Sequence, residues 1–257
     1  MGRLAVLGLI LLVSSPMHAS AQLKVIISGG FSSAYEQLVP EFERASGTKV
    51  VTGSGASQGT GPQTIAAQLA SGAAFDVVIM SREGLSDLIA AKRIAAGTDV
   101  DLARVPLGAA VKSGAPKADV SSVESFKRAV TSARVVAVPG STSGIWLRDE
   151  LFPRLGIADK VRFTMTPRGS GATAMLASGE ADFAVLPVSE ILHASGVDFV
   201  GKLPQEIQFD QMFSAAVVAA SKEGASARRL IDFLTSERAA AVIRQTGMEP
   251  LGKRAAP

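Results

Sequence analysis

The chain has 257 residues, of which 47% are hydrophobic and 19% are charged, and its formal net charge is +3. This composition supports one large core or two modest ones, and it excludes disorder as a general description. The absence of cysteine excludes disulfides and thiolate metal sites, and the absence of a long Lys/Arg block argues against nucleic-acid binding.

The N-terminus has the pattern of a secretory signal peptide. Arg3 gives a basic start, residues 4–13 form an apolar run, and Ala19-Ser20-Ala21 is a small-residue cleavage signature. The apolar run is too short for a membrane span, which needs about 20 residues. We therefore predict that residues 1–21 are a signal peptide cleaved after Ala21 and that the mature protein is periplasmic.

The mature chain would be nearly neutral and poor in histidine. Loss of Arg3 leaves 25 basic against 23 acidic residues, and His193 is the one histidine that remains. A catalytic zinc site built on several histidines is therefore excluded. We predict neither a metal nor a cofactor.

Three strand-loop-helix units follow the cleavage site. Their predicted strands are Lys24 to Ser28, Lys49 to Thr52, and Phe75 to Met80. The third is apolar almost throughout, which is typical of a strand buried on both faces of a parallel sheet. Successive units of this kind predict an open α/β sheet, in which ligands bind at the carboxyl ends of the strands.

Helical spacing of apolar residues follows each of these strands. The first helix has a capping box at Ser33 and Glu36 and ends at Gly47. The second runs from Gln63 to Leu69, with Pro62 suited to its first turn.

The middle of the chain predicts a second lobe of the same design. We place a crossing at the strand Val105 to Val111, followed by a helix that opens at Ser121 with Glu124 in a capping box. Further strands and helices then lead to a return crossing and two C-terminal helices. These segments are the strands Arg134 to Pro139 and Asp182 to Pro187, the crossing Phe213 to Ala220, and the helices within residues 225–247. Lobe I would comprise residues 22–105 and 213–257, and lobe II residues 106–212.

Five loops rich in glycine and hydroxyl residues each join a strand end to a helix start. They are residues 28–33, 54–61, 141–144, 168–171 and 187–190. Unpaired backbone N–H groups at such helix starts bind anions without the help of positively charged side chains. One loop would be weak evidence, because ordinary α/β turns also use Gly and Ser. Five loops from two lobes predict one anion-binding cleft.

Two arginines and one acid lie in or beside these loops. The planar guanidinium of Arg82 or Arg168 could pair with a carboxylate, although either could be a solvated rim residue. Glu190 would repel an anion unless it positions an arginine or a hydroxyl group.

The residues Gly55-Ala56-Ser57-Gln58-Gly59 also match the nucleophile-elbow pattern of serine hydrolases, with His193 downstream as a base. Gly59, Thr60, Gly61 and Pro62 lie between Gln58 and the predicted helix, whereas an elbow places its serine on the turn itself. A hydrolase using Ser57 is therefore the alternative from another functional class.

The order of units resembles the type II periplasmic solute-binding proteins of ABC importers, in the branch that is similar to molybdate-binding proteins. The motifs that carry the resemblance are Gly59-Thr60-Gly61-Pro62-Gln63, Asp76-Val77-Val78-Ile79, Ser143-Gly144-Ile145-Trp146, Leu186-Pro187-Val188-Ser189-Glu190 and Thr246-Gly247-Met248-Glu249-Pro250. The resemblance implies two α/β lobes, each an open sheet flanked by helices, joined by a two-strand hinge. It also implies that the lobes close over one anion and deliver it to a membrane permease.

The resemblance places the oxyanion ligands of molybdate binders at five positions of this chain. They are Gly30, Ser57, Ser143, Gly169 and Pro187. The family has a serine at the first position and a tyrosine at the last, so two donor side chains are missing here. Loss of these two side chains would enlarge the space that encloses the anion, and an arginine could add a positive charge to it. The branch also includes binders of small polycarboxylates such as aconitate, so we favour a di- or tricarboxylate over molybdate or tungstate.

The predicted ligand-binding residues extend beyond these five positions, and none is predicted to be catalytic. The full set is Gly30, Phe31, Ser32, Ser57, Gln58, Thr60, Arg82, Ser143, Gly144, Arg168, Gly169, Ser170 and Pro187. The predicted partners are a small anionic ligand and, transiently, an ABC permease of the inner membrane, with no nucleic acid. The protein would be a monomer, and a periplasmic sensor subunit remains an alternative use of the same cleft.

Overall fold

A computed structural model describes residues 22–252, so the predicted signal peptide lies outside the described residues. The strands are β1 (Gln22–Ile27), β2 (Lys49–Ser54), β3 (Val77–Ser81), β4 (Val100–Lys112), β5 (Val136–Pro139), β6 (Phe163–Thr166), β7 (Phe183–Pro187), β8 (Val197–Lys202), β9 (Asp210–Val217) and β10 (Glu249–Pro250). The helices are α1 (Ser32–Ser46), α2 (Ile65–Ala70), α3 (Arg82–Ala90), α4 (Val123–Ser132), α5 (Thr142–Trp146), α6 (Phe152–Arg154), α7 (Gly169–Ser178), α8 (Val188–Ile191), α9 (Gly224–Leu234) and α10 (Glu237–Gln245). Between residues 22 and 252, no helix combines the length and the apolar character of a membrane span.

The strands form a sheet with two halves that share β4. Half-sheet I has the order β2-β1-β3-β9-β4 and uses residues 100–106 of β4. Half-sheet II has the order β4-β7-β5-β6 and uses residues 107–112 of β4, which also pair with β8. Strand β1 is parallel to β2 and β3, and β5 is parallel to β6 and β7. The predicted α/β units are therefore confirmed in both halves.

Strands β4 and β9 link the halves. They pair antiparallel as far as Pro106 and Asp210, and from Leu107 onward β4 pairs with β7 instead. The chain thus crosses between the halves twice, which is the predicted two-strand hinge. The change of partner beside Pro106 supports a lobe boundary there. The limits of lobe I (22–105 and 213–257) and lobe II (106–212) stay predictions.

Helices cover both faces of each half-sheet, so each half buries two apolar layers. In half-sheet I, one face packs against α1, α9 and α10 and the other against α2 and α3. All five residues of β3 are buried, as its apolar sequence predicts. Half-sheet II has the same arrangement with its own two clusters. Two rigid α/β units therefore meet at the carboxyl ends of their parallel strands, where such sheets bind ligands.

Three predictions of helix starts were wrong. Helix α1 begins at Ser32 after a tight turn, and its N-cap Phe31 makes no side-chain capping bond, so Ser33 and Glu36 form no capping box. The box of α4 is formed by Ser122 and Ser125, one residue later than predicted. Helix α2 begins at Ile65 behind the cap Thr64, because the glycine loop continues past Pro62.

Candidate functional site

The loops of the two half-sheets touch one another at the carboxyl ends of the strands. Hydrogen bonds join loops that are far apart in the sequence, and they all lie at this one edge. They are Gln58 N–H to Ser141 Oγ (3.2 Å), the hydroxyl pair Ser81 and Thr142 (2.7 Å), and Ser189 Oγ–H to the carbonyl of Gly30 (2.6 Å). The structure therefore shows a closed arrangement in which the predicted loops converge.

A small inner pocket lies between these loops. Its volume is about 20 Å³, which is room for about one water molecule. Its lining includes Ser28, Gly30, Ser57, Ser143, Arg168, Gly169, Glu190 and Gln211. Since these residues come from both halves, the pocket exists only when the halves are together.

Unpaired polar atoms are concentrated in the inner pocket. Within residues 22–252, four buried side-chain polar atoms have no hydrogen-bond partner, and Ser28 Oγ, Arg168 Nε and Gln211 Oε1 are three of them. All three residues line the inner pocket. Buried polar groups are nearly always hydrogen-bonded, because an unpaired one costs about 1 to 3 kcal/mol. Their convergence marks a place built to receive a polar molecule.

Glu190 is the acidic residue of this pocket. Its carboxyl oxygens occupy space that a Cβ atom at Gly29 or at Gly169 would need, so the carboxyl group is held between the first loop of half-sheet I and the start of α7. Burial raises the pKa of Glu190 to about 7, and the positive charge of Arg168 opposes this rise. Near neutral pH the group therefore exists in both protonation states.

A larger outer cavity of about 610 Å³ adjoins the inner pocket, with which it shares Ala56, Ser57 and Pro167. Its volume falls in the range of small-molecule sites, about 300 to 1,000 Å³. Gln58, Thr60 and Arg148 contribute to its lining. A ligand in this cavity would be able to approach the inner pocket past Ser57.

The structure brings seven of the predicted ligand residues to these two cavities. Those at the inner pocket are Gly30, Ser57, Ser143, Arg168 and Gly169, and those at the outer cavity are Ser57, Gln58 and Thr60. The side chain of Ser57 is buried, and its Oγ accepts the N–H of Ser81 at 2.9 Å. Its hydroxyl hydrogen remains available to a ligand.

The other predicted residues lie outside both cavities. Phe31 and Pro187 are buried, and Ser170 is exposed. Ser32 donates its hydroxyl to the carbonyl of Ser28 at 3.2 Å. Gly144 lies against the backbone of Pro139.

Arg82 is engaged in an ion-pair network. It pairs with Asp99 at 2.8 Å and with Asp101, which also accepts the hydroxyl of Ser214 at 2.7 Å. Arg82 would have to give up these partners to hold a ligand. Arg168, with its unpaired Nε atom, is therefore the better-placed arginine.

The expected enlargement of the cage at Gly30 is not seen in this closed arrangement. A Cβ atom at Gly30 would overlap the ring of Phe213, so that ring fills the space a serine side chain would take. The carboxyl group of Glu190 lies against both Gly29 and Gly169. The ring of Phe213 thus takes the space of the missing serine side chain.

Sequence reasoning missed several residues of the site. Ser28 directly follows β1, whereas the predicted ligand residues of this loop are Gly30, Phe31 and Ser32. Gln211 and Phe213 lie on the return strand β9, which carries no glycine or hydroxyl signal. Arg148 follows the loop of residues 141–144 by one helical turn. A search for polar residues on the hinge strands could have found Gln211.

The base named in the hydrolase alternative, His193, does not lie at the site. His193 is exposed and lines neither cavity, although Ser57 lines both. Ser57 is also bonded to a backbone N–H group rather than to a basic side chain. His193 therefore does not activate Ser57 as a nucleophile.

We expect Glu190→Gln to stabilise the protein at high pH. A carboxyl group whose pKa rises from 4.5 to about 7 on folding binds its proton more tightly in the folded state. Stability from this group is therefore full below about pH 4.5 and is lost as the pH rises to about 7. The variant cannot ionise, so at pH 8 its free energy of unfolding should exceed that of the wild type by on the order of 3 kcal/mol.

Urea unfolding at pH 8 and pH 4.5 measures this difference. The gain should vanish at pH 4.5, and the exposed Glu150→Gln variant should show none at either pH. Equal stability of wild type and Glu190→Gln at pH 8 would contradict the raised pKa.

Comparison with known proteins gives the following matches. The family described as bacterial extracellular solute-binding protein matches residues 23–249. An aconitate isomerase from Pseudomonas sp. is 35% identical over 251 residues, which covers 95% of each chain.

Two solved structures share the fold. The periplasmic molybdate-binding protein of Azotobacter vinelandii has a TM-score of 0.72 and 22% identity, with 91% of this chain and 99% of that chain covered. The sulfate-binding protein of Mycobacterium tuberculosis has a TM-score of 0.73 and 18% identity, with 90% and 87% covered. These likenesses confirm the predicted two-lobed type II periplasmic binding protein fold.

Proposed function

Because the chain belongs to the family of bacterial extracellular solute-binding proteins, we propose that it captures a small di- or tricarboxylate, such as aconitate, between its two lobes. The lobes close over the anion, and the closed protein delivers it to an ABC permease of the inner membrane. Ligand binding shifts the population from an open to a closed arrangement.

The observation that carries this proposal is the convergence of unpaired polar atoms on the inner pocket. Ser28 and Arg168 offer an O–H and an N–H donor there, and the amide of Gln211 can present either its oxygen or its nitrogen. A carboxylate accepts hydrogen bonds from several donors at once. One carboxylate oxygen seated in this pocket would satisfy groups that the protein itself leaves unpaired.

The charges at the site favour a polycarboxylate over a compact oxyanion. Arg168 lines the inner pocket and Arg148 lines the outer cavity, so two guanidinium groups serve adjoining spaces. Arg148 is exposed and pairs with its neighbour Asp149 at 2.6 Å, an interaction that solvent screens. A ligand with two or more carboxylates could use both arginines, whereas a tetrahedral oxyanion could reach only one set of donors.

Calorimetric titration of the mature protein, from Gln22 onward, tests the proposal. The ligands are cis-aconitate, citrate, tricarballylate, molybdate, tungstate and sulfate. We expect saturable binding of a carboxylate and no response to molybdate. Tight molybdate or tungstate binding without carboxylate binding would show that backbone donors compensate for Gly30 and Pro187, and the proposal would be abandoned for an oxyanion carrier.

A second candidate function is isomerisation of the bound anion. It is favoured by Glu190, an acid that faces the ligand pocket and exchanges its proton near neutral pH. A protein that is 35% identical over nearly the whole chain is named an aconitate isomerase. Binding and isomerisation would use the same cleft, so the titration above tests the ligand binding that both functions require.

Export, oligomeric state and the permease are further parts of the proposal. The signal-peptide pattern of residues 1–21 supports a periplasmic location, and the family is described as extracellular. N-terminal sequencing of the exported protein should begin at Gln22.

Light scattering of the purified protein should give the mass of a monomer. Membrane vesicles that contain the cognate permease should take up the ligand only when the protein is added. Failure of uptake with intact binding would favour a sensor role.

We expect Ser57→Ala and Thr60→Ala to weaken ligand binding. Ser57 lines both cavities, so loss of its hydroxyl should lower affinity about 10-fold, which corresponds to one hydrogen bond. Thr60 is exposed at the outer cavity, and its loss should cost about 3-fold. Calorimetry measures both effects.

The two variants should also differ in folding stability. Ser57→Ala also removes the acceptor of a buried N–H group, so its free energy of unfolding should fall by about 1 to 2 kcal/mol, whereas that of Thr60→Ala should not change. Ser86→Ala, an exposed serine on α3, is the matched control. Unchanged affinity in both cavity variants would refute the site assignment.

A further inference from the structure

Glu190 occupies the contact between the two lobes. It lies on α8, directly after β7, and its carboxyl group reaches between Gly29 and Gly169. Neither glycine has a side chain, so the carboxyl group can lie against the backbone of both loops. The group is thus fixed at the point where the halves meet.

The surroundings of Glu190 contain one charged partner. Among the residues that line the inner pocket, Arg168 is the basic one, and the others are glycine, alanine, serine, proline, glutamine or phenylalanine. Arg168 and Glu190 share this pocket without forming an ion pair in the described part of the chain. A structural role for Glu190 would normally pair it with this arginine. Instead the acid and the guanidinium both remain available to a ligand.

A site that only binds an anion is weakened by a nearby ionised acid. Glu190 in its ionised form would repel a carboxylate, and burying it costs free energy. Burial raises the pKa of Glu190 to about 7, and a group with a pKa near the working pH both accepts and donates protons efficiently. The position of Glu190, its neighbours and its acidity are therefore those of a group that can carry a proton.

From this geometry we infer that Glu190 carries a proton between two carbon atoms of a bound unsaturated polycarboxylate. The inference rests on the proposed function, because it requires a polycarboxylate in the cleft. Its chemical class of substrate is a carboxylate with a methylene group next to a carbon–carbon double bond. The product is the isomer in which the double bond has moved by one carbon or has changed its geometry.

The proton transfer balances without any other reagent. The ionised Glu190 carboxylate takes a proton from the methylene carbon, that C–H bond breaks, and its electron pair spreads over the allylic carbons and the adjacent carboxylate. The protonated Glu190 then returns the proton to the other end of the allylic system, where a new C–H bond forms. No electron is gained or lost. The Arg168 guanidinium would stabilise the negative charge that builds up on the carboxylate.

Proton exchange with solvent tests the inference. The protein is mixed with saturating cis-aconitate in D₂O, and NMR follows deuterium entering the carbon positions and the appearance of the trans isomer. Tricarballylate, which has three carboxylates and no double bond, is the control ligand. We expect exchange into cis-aconitate with wild type and none into tricarballylate.

Variants assign the proton carrier. Glu190→Gln should lower the exchange rate at least about 100-fold while calorimetry still detects cis-aconitate, because acid–base catalysis contributes about 10²- to 10⁴-fold. Glu190→Asp keeps a carboxyl group and should exchange faster than Glu190→Gln. The exposed Glu150→Gln should match wild type.

Each other outcome overturns a specific claim. Binding of cis-aconitate by wild type with neither deuterium entry nor formation of the trans isomer would overturn the inference and leave the proposed binding function in place. Exchange that is equally fast in Glu190→Gln, or equally slow in the Gln and Asp variants, would overturn the role of Glu190. Absence of cis-aconitate binding would overturn the inference, and absence of binding by every carboxylate tested would overturn the proposed function as well.

Discussion

Replacing Arg168 with glutamine should weaken polycarboxylate binding by about 30-fold or more, the largest loss of affinity expected from any single side chain of this cleft. The guanidinium lies at the inner pocket with a buried, unpaired Nε atom, and Glu190 does not neutralise it by a direct ion pair. A desolvated pair of opposite charges loses about 2 kcal/mol or more when one partner is removed, and about 1.4 kcal/mol is a factor of ten. Calorimetric titration measures the change.

Two other arginines make this test specific. Arg162→Gln removes an exposed positive charge just before β6, away from both cavities, and should leave affinity unchanged. Arg82→Gln breaks pairs with Asp99 and Asp101, so it should lower the free energy of unfolding by about 1 kcal/mol with affinity changed less than about 3-fold. A larger loss of affinity in Arg82→Gln than in Arg168→Gln would reverse the assignment.

Gly144→Ala should destabilise the protein by about 3 kcal/mol, the largest expected loss of folding stability. A Cβ atom at Gly144 would overlap the carbonyl oxygen of Pro139 at the end of β5. That oxygen belongs to the backbone of a fully buried strand, so it cannot move aside as a flexible side chain can. Overpacking of this kind costs about 1 to 3 kcal/mol and occasionally more.

A second glycine provides the matched control for urea unfolding. Gly224 begins α9, and a Cβ atom there would meet nothing within 4 Å. Gly224→Ala should therefore leave stability unchanged or raise it by up to about 1 kcal/mol. If Gly144→Ala is as stable as Gly224→Ala, then α5 does not lie as closely on β5 as the structure shows.

Gly144 has a structural role beside its predicted role as a ligand residue. We predict that its backbone amide, together with the hydroxyl of Ser143, binds the anion. Its structural role is to let the helix that carries Ser143 approach the strand, and it lines neither cavity. Sequence reasoning identified the loop but could not separate the glycine that permits packing from the serine that faces the pocket.

Patterns that depend on local periodicity were predicted well. The strands β1, β3, β5 and β7 and the C-terminal helices lie within a few residues of their predicted positions, because burial on a fixed face imposes a period that is visible in the sequence. Strand β8 was missed, because most of its residues are only partly buried and its sequence does not alternate clearly. The helix caps at Ser33 and Ser121 were misplaced because several serines compete for the same role.

The sequence by itself determined the class of the fold, the five loops at the strand ends, and the absence of disulfides and of multi-histidine zinc chemistry, since each depends on residue type and spacing along the chain. Only the tertiary structure decided which polar atoms face one another. Ser28, Arg168, Glu190 and Gln211 come from four separate segments. The unpaired atoms of Ser28, Arg168 and Gln211, and the altered acidity of Glu190, arise from burial where the two halves meet. Burial and long-range contact depend on how the two lobes are placed around β4 and β9, and no local pattern in the sequence records that placement.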